Sequence, residues 1–103
     1  MNEKISIYIP TYNSESTIEE VINSVINQSK KLDQIIIIDD GSTDNTKNIL
    51  KKFDNIEIIT NHKNLGIGKS RNIGIKACRN DLVASIDSDV VLETDWLKNI
   101  LKI

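Results

Sequence analysis

Apolar and polar residues fall into blocks along this chain, and the blocks alternate between two periods. Ile5-Ser6-Ile7-Tyr8-Ile9 reads as a strand closed by Pro10, which has no N–H to give to a ladder. Ile18, Val21, Ile22, Val25 and Ile26 then repeat at the spacing of one helix face, with Ser16 and Glu19 placed as a capping box. Gln34 to Ile38 is a second strand, and its run of isoleucines suits burial on both faces of a sheet. A polar loop from Asp39 to Asp44 leads to a helix marked by Thr46, Ile49, Leu50 and Phe53. Ile56 to Thr60 is a third strand, and Asn61 to Asn64 leads into a helix from about Gly68 to Cys78. Leu82 to Ile86 is a fourth strand. Thr94 or Asp95 caps a last helix carrying Trp96, Leu97, Ile100 and Leu101.

Strictly alternating strands and helices predict an α/β fold with right-handed crossovers and a doubly wound, mostly parallel sheet. The expected strand order is 3-2-1-4, with the switch point between strands one and four. Ligands of such sheets sit beyond the carboxyl ends of the strands at that switch. Three polar clusters fall there: Thr11-Tyr12-Asn13 after strand one, Asp39-Asp40 after strand two, and Asp87-Ser88-Asp89 after strand four.

Composition narrows the choice of function. At 103 residues the chain is a single domain, and its net charge of −2 offers no attraction to nucleic acid or an anionic membrane. Cys78 and His62 each stand alone, which removes an intrachain disulfide and a zinc site of the usual ligand type. Residues 1–9 lack a signal-peptide pattern, and no apolar run reaches the ~20 residues of a transmembrane helix. A cytoplasmic chain without a transmembrane segment is therefore expected.

Asp87 and Asp89 flank one residue, so in an extended segment both side chains point the same way. Like charges so close raise each other's pKa, and a hard divalent cation holding a phosphate removes that cost. The alternative is an acidic, solvated turn. Asp39-Asp40-Gly41-Ser42 is either turn chemistry or a carboxylate placed to accept from a nucleobase N–H. Tyr12 either stacks on a base or covers the sheet end. Gly66 to Arg71 imitates two phosphate-binding fingerprints, but Lys63 and Arg71 stand where each needs a glycine, and neither follows the first strand. A glycine-rich helix start with Lys69 and Arg71 still suits an anion, or is a flexible connection with solvated bases.

Taken in order, Ile9-Pro10-Thr11-Tyr12-Asn13, Asp39-Asp40-Gly41-Ser42-Thr43-Asp44, Asn64-x-Gly66-x-x-x-Ser70-Arg71-Asn72-x-Gly74 and Asp87-Ser88-Asp89 closely resemble the family 2 glycosyltransferases of the GT-A fold. Gln28 after the first helix fits the same pattern. The resemblance implies the Rossmann-like nucleotide-binding half of that fold, a nucleotide-sugar donor, most often a UDP-sugar, and inversion at the anomeric carbon with Mn²⁺ or Mg²⁺. It places Pro10, Thr11, Tyr12, Asn13, Asp40, Gly41, Arg71, Asp87 and Ser88 around the nucleotide, with Tyr12 on the base and Asp40 accepting from its imide. Thr11 and Asn13 would line the nucleoside pocket and Arg71 would support base or phosphate. Asp87 would approach the ribose, and Asp89, with Asp87, the metal.

In that family the catalytic base and acceptor surface lie beyond the D-x-D motif, in a domain about twice as long. After Asp89 only Glu93 and Asp95 are acidic, so no catalytic residue is expected here. Residues 1–103 are read as a truncated donor-binding domain, inactive alone. Self-association through an exposed edge of strand four or the Trp96 face is also expected. The alternative is a non-catalytic nucleotide-binding or assembly module that completes an enzyme in trans. A phosphatase using Asp87 fits less well, because Val90 and Val91 stand where that chemistry wants a small residue and Thr. A sugar nucleotidyltransferase would need a glycine- and arginine-rich loop in place of Pro10-Thr11-Tyr12-Asn13.

Overall fold

A computed structural model describes residues 3–102. The elements are β1 (Ile5–Thr11), α1 (Ile18–Ile26), β2 (Gln34–Asp39), α2 (Thr46–Leu50), β3 (Glu57–Thr60), α3 (Ile67–Ala77), β4 (Leu82–Ser85) and α4 (Trp96–Ile100). All pairings are parallel and the order is β3-β2-β1-β4, as the alternating pattern predicts. β1 and β2 are buried along their whole length, whereas β3 and β4 form the edges and keep exposed residues.

The isoleucine run of β2 divides by parity between the two sheet faces. Ile35 and Ile37 join Ile7 and Ile9 of β1 under α1 and α2, where Val21, Ile22, Val25, Ile49 and Leu50 complete the larger core. Ile36 and Ile38 lie with Tyr8 on the other face, against Ile73, Ala77 and Cys78. There α3 comes so near the sheet that a Cβ at Gly74 would stand 2.5 Å from the Tyr8 ring and 2.9 Å from Ile38 Cδ1. Trp96 packs onto the larger core and docks α4, so the exposed apolar residues of that helix reduce to Ile100. Leu82 and Val83 are exposed on the β4 edge.

Three local expectations are corrected. Pro10 does not close β1; it lies inside the strand, opposite Ile38. Asp33 N–H donates to Ile5 O and Asp40 N–H to Thr11 O, so odd-numbered residues of β1 bond β2. Even-numbered residues face β4, whose last pair is Tyr8 with Ser85, and the missing N–H of Pro10 therefore falls past the end of that ladder. The Ser16–Glu19 capping box does not form: α1 begins after Thr17, and the Ser14 carbonyl accepts from Thr17 N–H and Ile18 N–H instead. Asp95 stands at the start of α4 but its carboxylate accepts from the Ser29 hydroxyl at 2.5 Å. The cap of α4 comes from Gln28, fully buried, whose Oε1 accepts from Leu97 N–H at 2.9 Å while its Nε2 donates to Glu93 O at 2.6 Å.

The close approach at Gly74 sets a test. In Gly74→Ala the overlap with a buried ring costs about 1–3 kcal/mol, against a helix-propensity gain of at most about 1 kcal/mol. Urea unfolding is expected to show a net loss of stability with an unchanged slope; equal or greater stability would contradict this packing.

Candidate functional site

The carboxyl ends of β1, β2 and β4 open into one cleft of about 590 Å³. Its wall carries Pro10, Thr11, Tyr12 and Asn13 from β1 and the loop after it, Asp40 just after β2, and Asp87, Ser88 and Asp89 after β4. That volume lies within the usual range for small-molecule sites. Sequence reasoning placed these residues together through topology, and the folded chain brings them together. Two do not line the cleft: Gly41 packs against Lys63 and Asn64, and Arg71 lines an adjoining depression with Tyr8 and Val90 that shares Asp87.

Much of this polar set is spent on holding the loops. Asn13 adopts a left-handed backbone (φ 47°), which Asn tolerates better than most residues. Its Oδ1 accepts from Thr43 N–H at 2.7 Å and its own N–H donates to Ser42 Oγ at 2.9 Å, lashing the loop after β1 to the loop after β2. Thr11 is buried, its hydroxyl donating to Ile9 O. Asp39 is fully buried, with Oδ1 accepting from Ser42 N–H and Oδ2 without a partner among the described residues.

Asp40 organises the far wall. Its Oδ1 accepts from Asn61 Nδ2 at 2.9 Å and Leu65 N–H at 2.8 Å, and its Oδ2 from Gly66 N–H at 3.0 Å. Gly41 makes this possible: with φ 75°, a Cβ there would stand 2.7 Å from the Lys63 carbonyl carbon and 2.9 Å from Asn64 N. Together they seat the 61–66 loop, so that Asn64, Gly66, Ile67 and Ser70 join the cleft. Burial by itself would raise the Asp40 pKa, but hydrogen bonding, led by Leu65, Asn61 and Gly66, outweighs it and holds the carboxyl below its ordinary value. Oδ2 keeps a lone pair for a ligand donor, since a carboxylate oxygen accepts two bonds.

What is left uncommitted is Tyr12, 45% exposed, and the two carboxylates of the D-x-D segment. That segment is not extended. Val90 N–H donates to Asp87 O at 3.2 Å, so Asp87 to Val90 form a tight turn; β4 has already ended at Ser85, two residues before it. Ser88 is anchored: Thr17 Oγ1 donates to its carbonyl at 2.8 Å, and its hydroxyl lies 2.7 Å from Ser14 Oγ. Asp87 Oδ1 lies 3.6 Å from Arg71 Nη2, with both side chains more than half exposed, an ion pair of little strength. Ser14, Ser16 and Thr17 belong to the cleft and were not expected there; short hydroxyls at a helix start carry no distinct signal in sequence.

Among the described residues no group of three or more His, Cys, Asp or Glu gathers to hold a metal. Asp87 and Asp89, two hard oxygen donors on one turn, are of the kind that Mg²⁺ or Mn²⁺ takes when phosphate oxygens and water complete its shell. They do not suit an all-protein cage.

Such a fold is a Rossmann-like α/β domain of the GT-A type, with its cleft at the sheet's switch point. Residues 6–103 match the model of the family Glycosyl transferase family 2. The poly(ribitol-phosphate) beta-glucosyltransferase of Bacillus spizizenii is 42% identical over 101 residues, covering 91% of this chain and 16% of that protein. Staphylococcus aureus TarS in complex with UDP superposes with a TM-score of 0.87 at 33% identity, over 96% of this chain and 31% of that one. The mannosyltransferase PcManGT from Pyrobaculum calidifontis, in complex with GDP-Man and Mn²⁺, matches with a TM-score of 0.90 at 21% identity and shows the shared fold alone, over 99% of this chain and 32% of that one. The chain thus spans less than a third of each of these proteins. It belongs to glycosyl transferase family 2. No helix among the described residues is long and apolar enough to cross a membrane.

The seating of Asp40 predicts a pH dependence. A carboxyl whose folded pKa is lowered adds stability that is complete above the unfolded value, about 3.9, and is lost as pH falls through the folded one. Asp40→Asn is expected to be less stable than wild type at pH 7, with the gap closing as pH drops below about 3.9. Thermal melts from pH 7 to pH 2.5 check this, and a constant gap would contradict it.

Proposed function

We propose that the cleft binds the nucleoside diphosphate part of a nucleotide-sugar donor, and that these residues are the donor-binding part of an inverting glycosyltransferase. One observation carries the reading: three carboxylates, Asp40, Asp87 and Asp89, share one cleft beside an exposed aromatic ring at the sheet's switch point. A diphosphate entering alone would be repelled, and one entering with a divalent cation would be held.

Tyr12 offers its ring to the base, and Asp40 Oδ2 accepts from a base N–H while keeping its bond to Gly66. Asp87 exchanges its weak contact with Arg71 for ribose or cation, which releases the guanidinium towards phosphate. Asp89, with Asp87, holds the cation; when bound, Mn²⁺ or Mg²⁺ supplies the positive charge that lets the diphosphate depart. UDP is the favoured nucleotide, because TarS, 33% identical, was captured with UDP and with UDP-GlcNAc.

Transfer to an acceptor needs groups that these residues do not bring to the cleft. Asp95 is bonded to Ser29 and Glu93 O to Gln28, both beyond the carboxyl end of α1, whereas the cleft lies at its amino end. The chain by itself is therefore proposed to bind donor without transferring sugar.

Calorimetric titration with UDP tests this. Binding in Mn²⁺ is expected, and both EDTA and Asp89→Ala should weaken it by about tenfold or more, the effect of ~1.4 kcal/mol. Equal affinity with and without metal would remove the cation from the reading. Sugar transfer by the isolated chain would contradict its proposed dependence on further residues.

A further inference from the structure

Residues 86–95 form no helix or strand, yet they carry the D-x-D turn. Side chains of α1 and of the residues just before and after it hold them. Thr17 donates to Ser88 O, Ser24 Oγ accepts from Leu92 N–H at 3.0 Å, and Gln28 holds Glu93 O and Leu97 N–H. Thr17 stands just before α1, Ser24 within it and Gln28 just past its end, so the three side chains hold the segment at successive points along the length of the helix.

At the cleft this attachment ends in a chain of hydroxyls. Ser14 Oγ donates to Tyr12 O at 3.2 Å. Ser14 Oγ also lies 2.7 Å from Ser88 Oγ, a bond in which either hydroxyl can donate. A path of hydrogen bonds thus joins the middle residue of the D-x-D turn to the backbone of Tyr12, with Ser14 itself buried.

We infer that Ser14 and Thr17 are positioning residues that hold the Asp87–Val90 turn in register with the Tyr12 loop, so that cation binding at one is coupled to nucleoside binding at the other. Thr17 fixes the turn through the Ser88 carbonyl and Ser14 fixes it through the Ser88 hydroxyl, which leaves both Asp side chains free to ligate. Two-point attachment sets the turn's height above the cleft, and with it the distance from base to cation. The functional half of the inference rests on the donor-site reading; the geometric half does not.

The test compares wild type, Thr17→Val, Ser14→Ala and Thr17→Ser as isotope-labelled full chains. In the ligand-free protein, the amides of Ser88, Asp89 and Val90 should lose order in Thr17→Val and Ser14→Ala while those of β1 and β2 keep theirs. The ratio of UDP affinity in Mg²⁺ to that in EDTA should fall by about fivefold in Thr17→Val, the weight of one net hydrogen bond, and recover in Thr17→Ser. A ratio that stays at the wild-type value, even where both affinities fall together, would reduce Thr17 to a structural role and overturn the coupling. Turn amides that keep their order in Thr17→Val would overturn the positioning itself. A wild type that binds no UDP under either condition would overturn the donor-site reading and the coupling with it, leaving the positioning to the turn amides alone.

Discussion

Everything this domain can do at its cleft depends on β1 being bonded in parallel to β2 on one side and β4 on the other. Parallel pairing sends all three carboxyl ends the same way. The crossovers diverge from β1, since β2 and β3 lie to one side and β4 to the other, and the divergence leaves a gap between the loops. The sheet core is aliphatic and holds this arrangement by burial on both faces, with Ile7, Ile9, Ile35 and Ile37 on one side and Tyr8, Ile36 and Ile38 on the other. The sheet decides where the polar residues of the cleft meet.

Once there, most of them bond to one another. Asn13 joins two loops, Asp40 and Gly41 seat a third, and Ser88 is tied to the start of α1. A buried carboxylate without partners is costly, so the three donors around Asp40 are a condition of its being there at all. The consequence is a division of labour. Internally satisfied groups give a rigid rim, and the rim presents Tyr12, Asp87 and Asp89 with few bonds of their own. The proposed donor site rests on the negative charges of Asp87 and Asp89, which favour a ligand that brings a cation.

Long-range architecture was legible in the sequence, because strand and helix periods differ and the isoleucine-rich runs admit one arrangement. The motifs of the cleft were legible as well, since each follows a strand end. Local details were less so, and for a common reason: tertiary partners displaced the sequence-local ones. Ser16 and Glu19 spell a capping box, but the Ser14 carbonyl takes the first turn of α1. Pro10 spells the end of a strand, but the ladder it would interrupt had already ended. Asp87-Ser88-Asp89 spells an extended pair, but the bonds from Thr17 and Ser14 hold a turn. Gly41 fits a binding motif and serves by letting the backbone at Lys63 approach. The roles of Ser14, Thr17 and Gln28 need the fold to be seen, because their partners lie 65 or more residues away.

In the proposed donor site a divalent cation and a nucleoside diphosphate meet at the turn after β4. Paramagnetic broadening of amide signals by substoichiometric Mn²⁺, with and without UDP, probes that meeting point most directly. UDP is expected to concentrate the broadening on Asp87, Ser88 and Asp89 and to extend it to Tyr12 and Asn13. Broadening spread over the surface acids alike in both samples, or centred away from that turn, would contradict it.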